Sequence, residues 1–136
     1  MPKTVLIVDD IAFVRKTLSD IFTQARYHVV GEALDGAEAV QLYAKLRPDI
    51  VTMDVVMPQM SGIEATRRII KVDKNAKIVI ISAMGQENLV MEAINVGAKD
   101  YILKPFSAEE LLKTTEKVLM SEKNLLSRPA PREKIS

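Results

Sequence analysis

Cysteine is absent from this sequence, which excludes disulfides, thiol catalysis and zinc–thiolate sites. A single histidine, His28, excludes any multi-histidine metal cluster. Neither sign of charge dominates: 19 basic and 18 acidic residues leave a formal net charge of +1. That balance gives no electrostatic footprint for nucleic acid or an anionic membrane. Long apolar runs are missing as well. None approaches the roughly 18 residues that a membrane-spanning helix needs. Asp9 and Asp10 interrupt the apolar run at 5–8 before it could form the core of a signal peptide. What is present fits one globular domain with a real core: 136 residues, 48% hydrophobic and 27% charged. The expectation is a soluble, cytoplasmic monomer with no nucleic-acid partner and no membrane insertion.

Short β-branched runs alternate with amphipathic stretches. Residues 4–8 are apolar without a break after Lys3, the pattern of a strand covered on both faces. Ile11, Val14, Leu18, Ile21 and Phe22 then share one helical stripe. Further strands are expected at 27–33, 49–53, 77–81 and 100–103, and helices from Asp35-Gly36 to Pro48, over 61–72, over 87–96 and from Ser107 onward. Gly97 serves as a helix C-cap, and Ser107 with Glu109 and Glu110 forms a hydroxyl cap followed by first-turn acids. Five strands alternating with five helices predict an α/β fold with a parallel sheet covered on both faces and right-handed crossovers. After about Leu126 the pattern stops. The chain therefore divides into a domain at 1–123 and a flexible C-terminal tail at 124–136, which includes Arg128, Pro129 and Pro131.

In open parallel sheets, ligands bind beyond the carboxyl ends of the strands. Asp9 and Asp10 follow the first strand, Asp54 follows the third, the fourth ends at Ser82, and the fifth runs directly into Lys104-Pro105. Three carboxylates, one hydroxyl and one ammonium thus converge on one edge. Clustered carboxylates repel one another, and a hard divalent cation resolves the conflict; Mg²⁺ suits one or two carboxylates plus a phosphate oxygen. A lysine supplies point charge for a phosphoryl group, a serine hydroxyl can donate to it, and a carboxylate can be the nucleophile. Each residue alone has a plainer role: Asp9-Asp10 and Ser82 as helix caps, Asp54 as a turn carboxylate, Lys104 as a surface lysine.

In order along the chain, Asp9-Asp10, Asp54-Val55-Val56-Met57-Pro58 with Gly62, Ser82-Ala83, Gly97-Ala98-Lys99-Asp100-Tyr101 and Lys104-Pro105-Phe106 resemble the receiver domain of bacterial two-component response regulators. The resemblance implies a flavodoxin-like doubly wound five-stranded parallel sheet in the order 2-1-3-4-5, the order of the chemotaxis regulators of this family. It implies that Asp54 is the phosphoacceptor, that Asp9, Asp10, Asp54 and the backbone carbonyl of Val56 hold Mg²⁺, and that Lys104 contacts the phosphoryl group. It also implies a cis bond to Pro105 and a switch pair formed by Ser82 and Tyr101. Such a protein is a phosphorylation-dependent signalling switch, with self-phosphorylation and self-dephosphorylation as its only enzymatic activity.

Residues 7–15 and 82–86 are most similar to the stand-alone chemotaxis regulators. Those receive phosphate from the histidine kinase CheA and bind the flagellar motor switch protein FliM through the fourth helix, fifth strand and fifth helix. The resemblance thus implies a CheA-like kinase, a FliM-like motor protein and a phosphatase as partners. Val56 and Met84 flank the path of attacking water and are apolar, which predicts slow self-dephosphorylation. Two further readings are a receiver belonging to a larger DNA-binding or enzymatic regulator and a single-domain phosphorelay protein outside chemotaxis. An aspartate-nucleophile phosphatase would need a second acid where Ile11 stands, and a flavin carrier would need a phosphate loop after the first strand.

Overall fold

A computed structural model describes residues 2–127. The chain alternates strictly: β1 (Thr4–Val8), α1 (Ala12–Gln24), β2 (His28–Ala33), α2 (Gly36–Leu46), β3 (Ile50–Asp54), α3 (Gly62–Val72), β4 (Ile78–Ala83), α4 (Glu87–Asn95), β5 (Asp100–Lys104) and α5 (Ala108–Ser127). The five strands form one parallel sheet in the order β2-β1-β3-β4-β5. This is the flavodoxin-like order.

Strand side chains alternate between two apolar layers, as the two-residue strand period requires. Val5, Ile7, Ile50, Val79, Ile81 and Ile102 pack with Leu18 and Phe22 of α1 and Leu111 and Val118 of α5. Leu6, Val8, Val51, Met53, Ile78 and Ile80 face Ala39 and Tyr43 of α2, Ala65 and Ile69 of α3, and Val90 and Ala93 of α4. Burial of each such aliphatic side chain contributes about 1.5–3 kcal/mol before conformational entropy is subtracted. The inner strands are therefore the rigid base on which the carboxyl edge stands.

Helix ends follow local chemistry. The Asp35 carboxylate accepts the Glu38 N–H, and the Ser61 hydroxyl accepts the Glu64 N–H. Ser107 caps α5 as its sequence predicts, accepting the Glu110 N–H at 3.0 Å. Gly97, at φ +130°, lies just beyond the Val96 cap of α4, in a conformation that favours glycine. The last helix continues to Ser127, so residues 124–127, expected to lie in the tail, are helical. The rest of the expected tail, at 128–136, lies outside the described residues. Among the described residues, no helix is long and apolar enough to cross a membrane.

Candidate phosphoacceptor site

The chain leaves β1 in one direction to form β2 and then crosses to the other side to form β3, so the crevice beyond β1 and β3 is the topological switch point. Val8 pairs with Met53 in the parallel register. The next residues on the two strands, Asp9 and Asp54, are therefore neighbours across one strand spacing. Carboxylate oxygens of Asp9, Asp10 and Asp54 all lie within 4.8 Å of one another. Asp9 and Asp54 are buried, whereas Asp10 is exposed.

Each acid has a distinct setting. The Asp9 carboxylate accepts the Ile11 N–H at 2.9 Å and a hydrogen bond from the Lys104 ammonium at 3.3 Å. Arg15 fixes the Asp9 backbone by donating to its carbonyl at 2.8 Å, while its guanidinium also pairs with Glu32 at 3.1 Å. Ile11 occupies the N-cap position of α1 with no side-chain cap, and the N–H that Asp9 accepts belongs to that residue, before the first turn of the helix. Asp54 Oδ1 accepts the Val55 N–H at 2.9 Å, and Lys104 Nζ stands 3.8 Å from it. Burial first, and then the neighbouring Asp9 charge, push the Asp54 carboxyl up to about 6; Lys104 and the Val55 N–H only partly oppose them.

This electrostatic imbalance tests the fit of a cation. Three carboxylates against one ammonium leave two negative charges, and the donors are all hard oxygens. A divalent ion such as Mg²⁺ matches both the charge and the donor chemistry.

The other predicted residues are positioned by β4 and β5. Lys104 ends β5, and its bond to Pro105 is cis. Ser82 is fully buried in β4, but its hydroxyl donates to Gln86 Oε1 at 2.8 Å and is also 3.2 Å from the Ala83 carbonyl. It does not cap α4. The Tyr101 ring is 45% exposed, beside a cleft of about 90 Å³ lined by Glu87, Val90, Met91 and Leu103. Val56 and Met84, each two residues beyond Asp54 and Ser82 in the chain, are both exposed. A second, larger groove of about 240 Å³ runs between α1 and the start of α5, lined by Phe13, Val14, Thr17, Lys104, Pro105 and Phe106.

Sequence patterns alone do not reveal Arg15, Gln86 or the reason for Gly62. A Cβ on Gly62 would lie 1.9 Å from the Asp54 carbonyl oxygen, and the Gly62 N–H donates to the Val55 carbonyl at 2.8 Å. Only glycine lets α3 begin directly against the Asp54 segment.

The response regulator receiver domain family matches residues 5–116 of the chain. The chain belongs to that family. It is 56% identical over 118 residues to the chemotaxis protein CheY of Thermotoga maritima, covering 87% of this chain and 98% of that protein. The transcriptional regulatory protein PdtaR of Mycobacterium tuberculosis is 41% identical over 116 residues, 85% of this chain but 56% of the relative. Among solved structures, the CheX–CheY–BeF₃–Mg²⁺ complex from Borrelia burgdorferi aligns with a TM-score of 0.81 and 41% identity, covering 90% of each chain. As a receiver domain with a three-aspartate cluster, the protein is a phosphorylation-dependent signalling module, and its enzymatic activity is limited to intrinsic phosphotransfer and dephosphorylation.

Proposed function

We propose that this receiver is a chemotactic switch: a CheA-like histidine kinase phosphorylates Asp54, and the phosphorylated form engages a FliM-like flagellar motor switch protein. The observation that carries the phosphoacceptor assignment is the convergence of the Asp9, Asp10 and Asp54 carboxylates with the Lys104 ammonium on one sheet edge. In the transfer, an Asp54 carboxylate oxygen forms a bond to phosphorus. The P–N bond of the donor phosphohistidine breaks, and its electron pair leaves with the imidazole nitrogen. Asp9, Asp10, Asp54 and the Val56 carbonyl would hold Mg²⁺, which supplies charge neutralisation when bound. Lys104, within 4 Å of both Asp9 and Asp54, supplies a positive charge for the phosphoryl oxygens.

Ser82 and Tyr101 are the switch pair of this reading. Ser82 turns its hydroxyl toward the phosphoryl group, and the Tyr101 ring moves inward toward α4. The exposed ring and its adjoining apolar cleft support that movement. The output surface is then formed by α4, β5 and α5. Likeness to the Thermotoga maritima CheY over almost its full length supports the motor as the target. A protein bound to the Borrelia burgdorferi relative alongside BeF₃ and Mg²⁺ supports a further partner, such as a phosphatase. PdtaR favours a second reading in which the same switch serves a regulator outside chemotaxis.

Incubation with acetyl phosphate and Mg²⁺, followed by intact mass, tests the site. Wild type gains one phosphoryl group and Asp54→Asn gains none; equal gain in both overturns the assignment. Titration of phosphorylated and unphosphorylated protein with a flagellar motor switch protein tests the output. Equal affinity for the two forms would move the conclusion to the second reading.

A further inference from the structure

The Ser82 hydroxyl has one proton, and Gln86 already holds it. Ser82 Oγ lies 2.8 Å from Gln86 Oε1, inside a fully buried position. The same oxygen accepts the Ala83 N–H at 2.9 Å. The Ala83 N–H fixes the amide's orientation, because the flipped amide would turn its NH₂ against another donor that cannot accept. Gln86 is the first residue to lead into α4, and its backbone carbonyl accepts the Val90 N–H at 3.0 Å. The preceding Gly85, at φ +93°, has open space around its Cβ position, so the turn has room to move.

We propose that Gln86 is a positioning residue, a carbonyl latch that competes with the phosphoryl group on Asp54 for the single Ser82 proton. The inference rests on the reading that Ser82 donates to that phosphoryl group. While the latch is closed, the end of β4 is tied to the first turn of α4. Opening it exchanges one neutral hydrogen bond for a charge-assisted one to the phosphoryl oxygen. Gln86 Oε1 is not orphaned when Ser82 leaves, since the Ala83 N–H remains on it. The latch therefore biases the switch without blocking it. Its release also loosens the segment directly before Glu87, which lines the Tyr101 cleft. Gln86 thus links the hydroxyl that meets the phosphoryl group to the helix that receives the ring.

The test measures the steady-state ratio of phosphorylated to unphosphorylated protein in acetyl phosphate and Mg²⁺ by intact mass. Gln86→Met keeps the length and removes the acceptor; it should raise the ratio about fivefold, the weight of one neutral hydrogen bond. Gln86→Glu keeps an acceptor and should give no rise. In a Ser82→Ala background, Gln86→Met should have no effect. A rise of the same size in both backgrounds, a rise with Gln86→Glu equal to that of Gln86→Met, or no change with Gln86→Met would overturn the latch. Ser82→Ala alone separates the two levels of the argument. If it lowers the ratio while Gln86→Met is inert, only the latch fails; if it leaves the ratio unchanged, the Ser82 reading fails and the latch with it.

Discussion

Two aspartates at opposite edges of the sheet are held in opposite ways. Asp73, at the end of α3 on the amino edge, accepts the Tyr43 hydroxyl at 2.7 Å, Arg47 at 3.2 Å and the Asn75 N–H at 3.1 Å. Its carboxyl is lowered, first by the Tyr43 hydrogen bond. Asp54, on the carboxyl edge, has one backbone donor, a lysine at 3.8 Å and another buried carboxylate beside it. Its carboxyl is pushed up to about 6. Asp49 on the amino edge resembles Asp73: it accepts both the N–H and the hydroxyl of Thr4 at 2.8 and 3.0 Å. The acids that join elements at the amino edge are satisfied by donors, whereas those of the carboxyl edge are left short of positive charge, as the proposed function requires.

The largest expected effect comes from the backbone that aims Asp54. Gly62→Ala would drive a methyl group into the Asp54 carbonyl, which cannot rotate away as a side chain could. We expect a loss of about 3 kcal/mol or more in urea unfolding, together with loss of acetyl-phosphate labelling. An alanine variant of wild-type stability would mean that the loop before α3 yields, and that the aim of Asp54 does not depend on this contact.

The next effect has the opposite sign. With its folded-state pKa raised, Asp54 binds its proton more tightly in the native state than in the unfolded chain. Its contribution to stability is therefore fully present below the ordinary carboxylate range and is lost as pH rises through about 6. At pH 7 without metal, Asp54→Asn should stabilise the protein by about 2 kcal/mol. The gain should shrink toward pH 4, and Mg²⁺ should narrow it by stabilising wild type more than the variant. Urea titrations at pH 7 and pH 4, with and without Mg²⁺, give the comparison. A destabilised Asp54→Asn at pH 7 would contradict the charge imbalance.

Much of this edge was legible before the structure. Buried parallel strands need near-continuous β-branched runs, so all five strands stand out, with ends displaced by only a residue or two. At the carboxyl ends the displacement has one cause. Asp54 and Lys104 do not follow their strands but belong to them, because each continues the ladder, as Ser82 does: Asp54 pairs with Ile81, Ser82 with Leu103, and Lys104 with Ala83. Polar residues in those positions look like strand ends in one dimension. Arg15 and Gln86 were not legible for a different reason. Arg15 lies on the polar side of an amphipathic helix and Gln86 in a short turn, and nothing in their spacing records that one grips the Asp9 carbonyl and the other the Ser82 hydroxyl.

Asp73→Asn sharpens the contrast from the other edge. The amide still accepts the Tyr43 hydroxyl but lacks the charge that strengthens that bond and pairs with Arg47. We expect a loss of about 1 kcal/mol at neutral pH. The lowered carboxyl contributes stability above its ordinary range and loses it as pH falls, so the loss should fade in acid. The same chemical change thus stabilises one edge and destabilises the other. Equal signs for the two variants at pH 7 would dissolve the comparison.

Under the proposed function, the smallest expected effect concerns how long a phosphoryl group stays on Asp54. Val56 and Met84 are both exposed to water, but neither side chain can orient it by hydrogen bonding. An amide and an acid at these positions would each offer an acceptor to an attacking water, and the acid could also draw off its proton. The group is lost when the water oxygen bonds to phosphorus and the P–O bond to Asp54 breaks, returning the carboxylate and inorganic phosphate. A Val56→Asn, Met84→Glu variant should therefore dephosphorylate about threefold faster, a barrier lower by about 0.7 kcal/mol. Phosphate release after rapid removal of acetyl phosphate measures this directly. An unchanged rate would mean that the two apolar side chains do not limit the approach of water, and that the lifetime is set deeper in the pocket, by Lys104 and the acids.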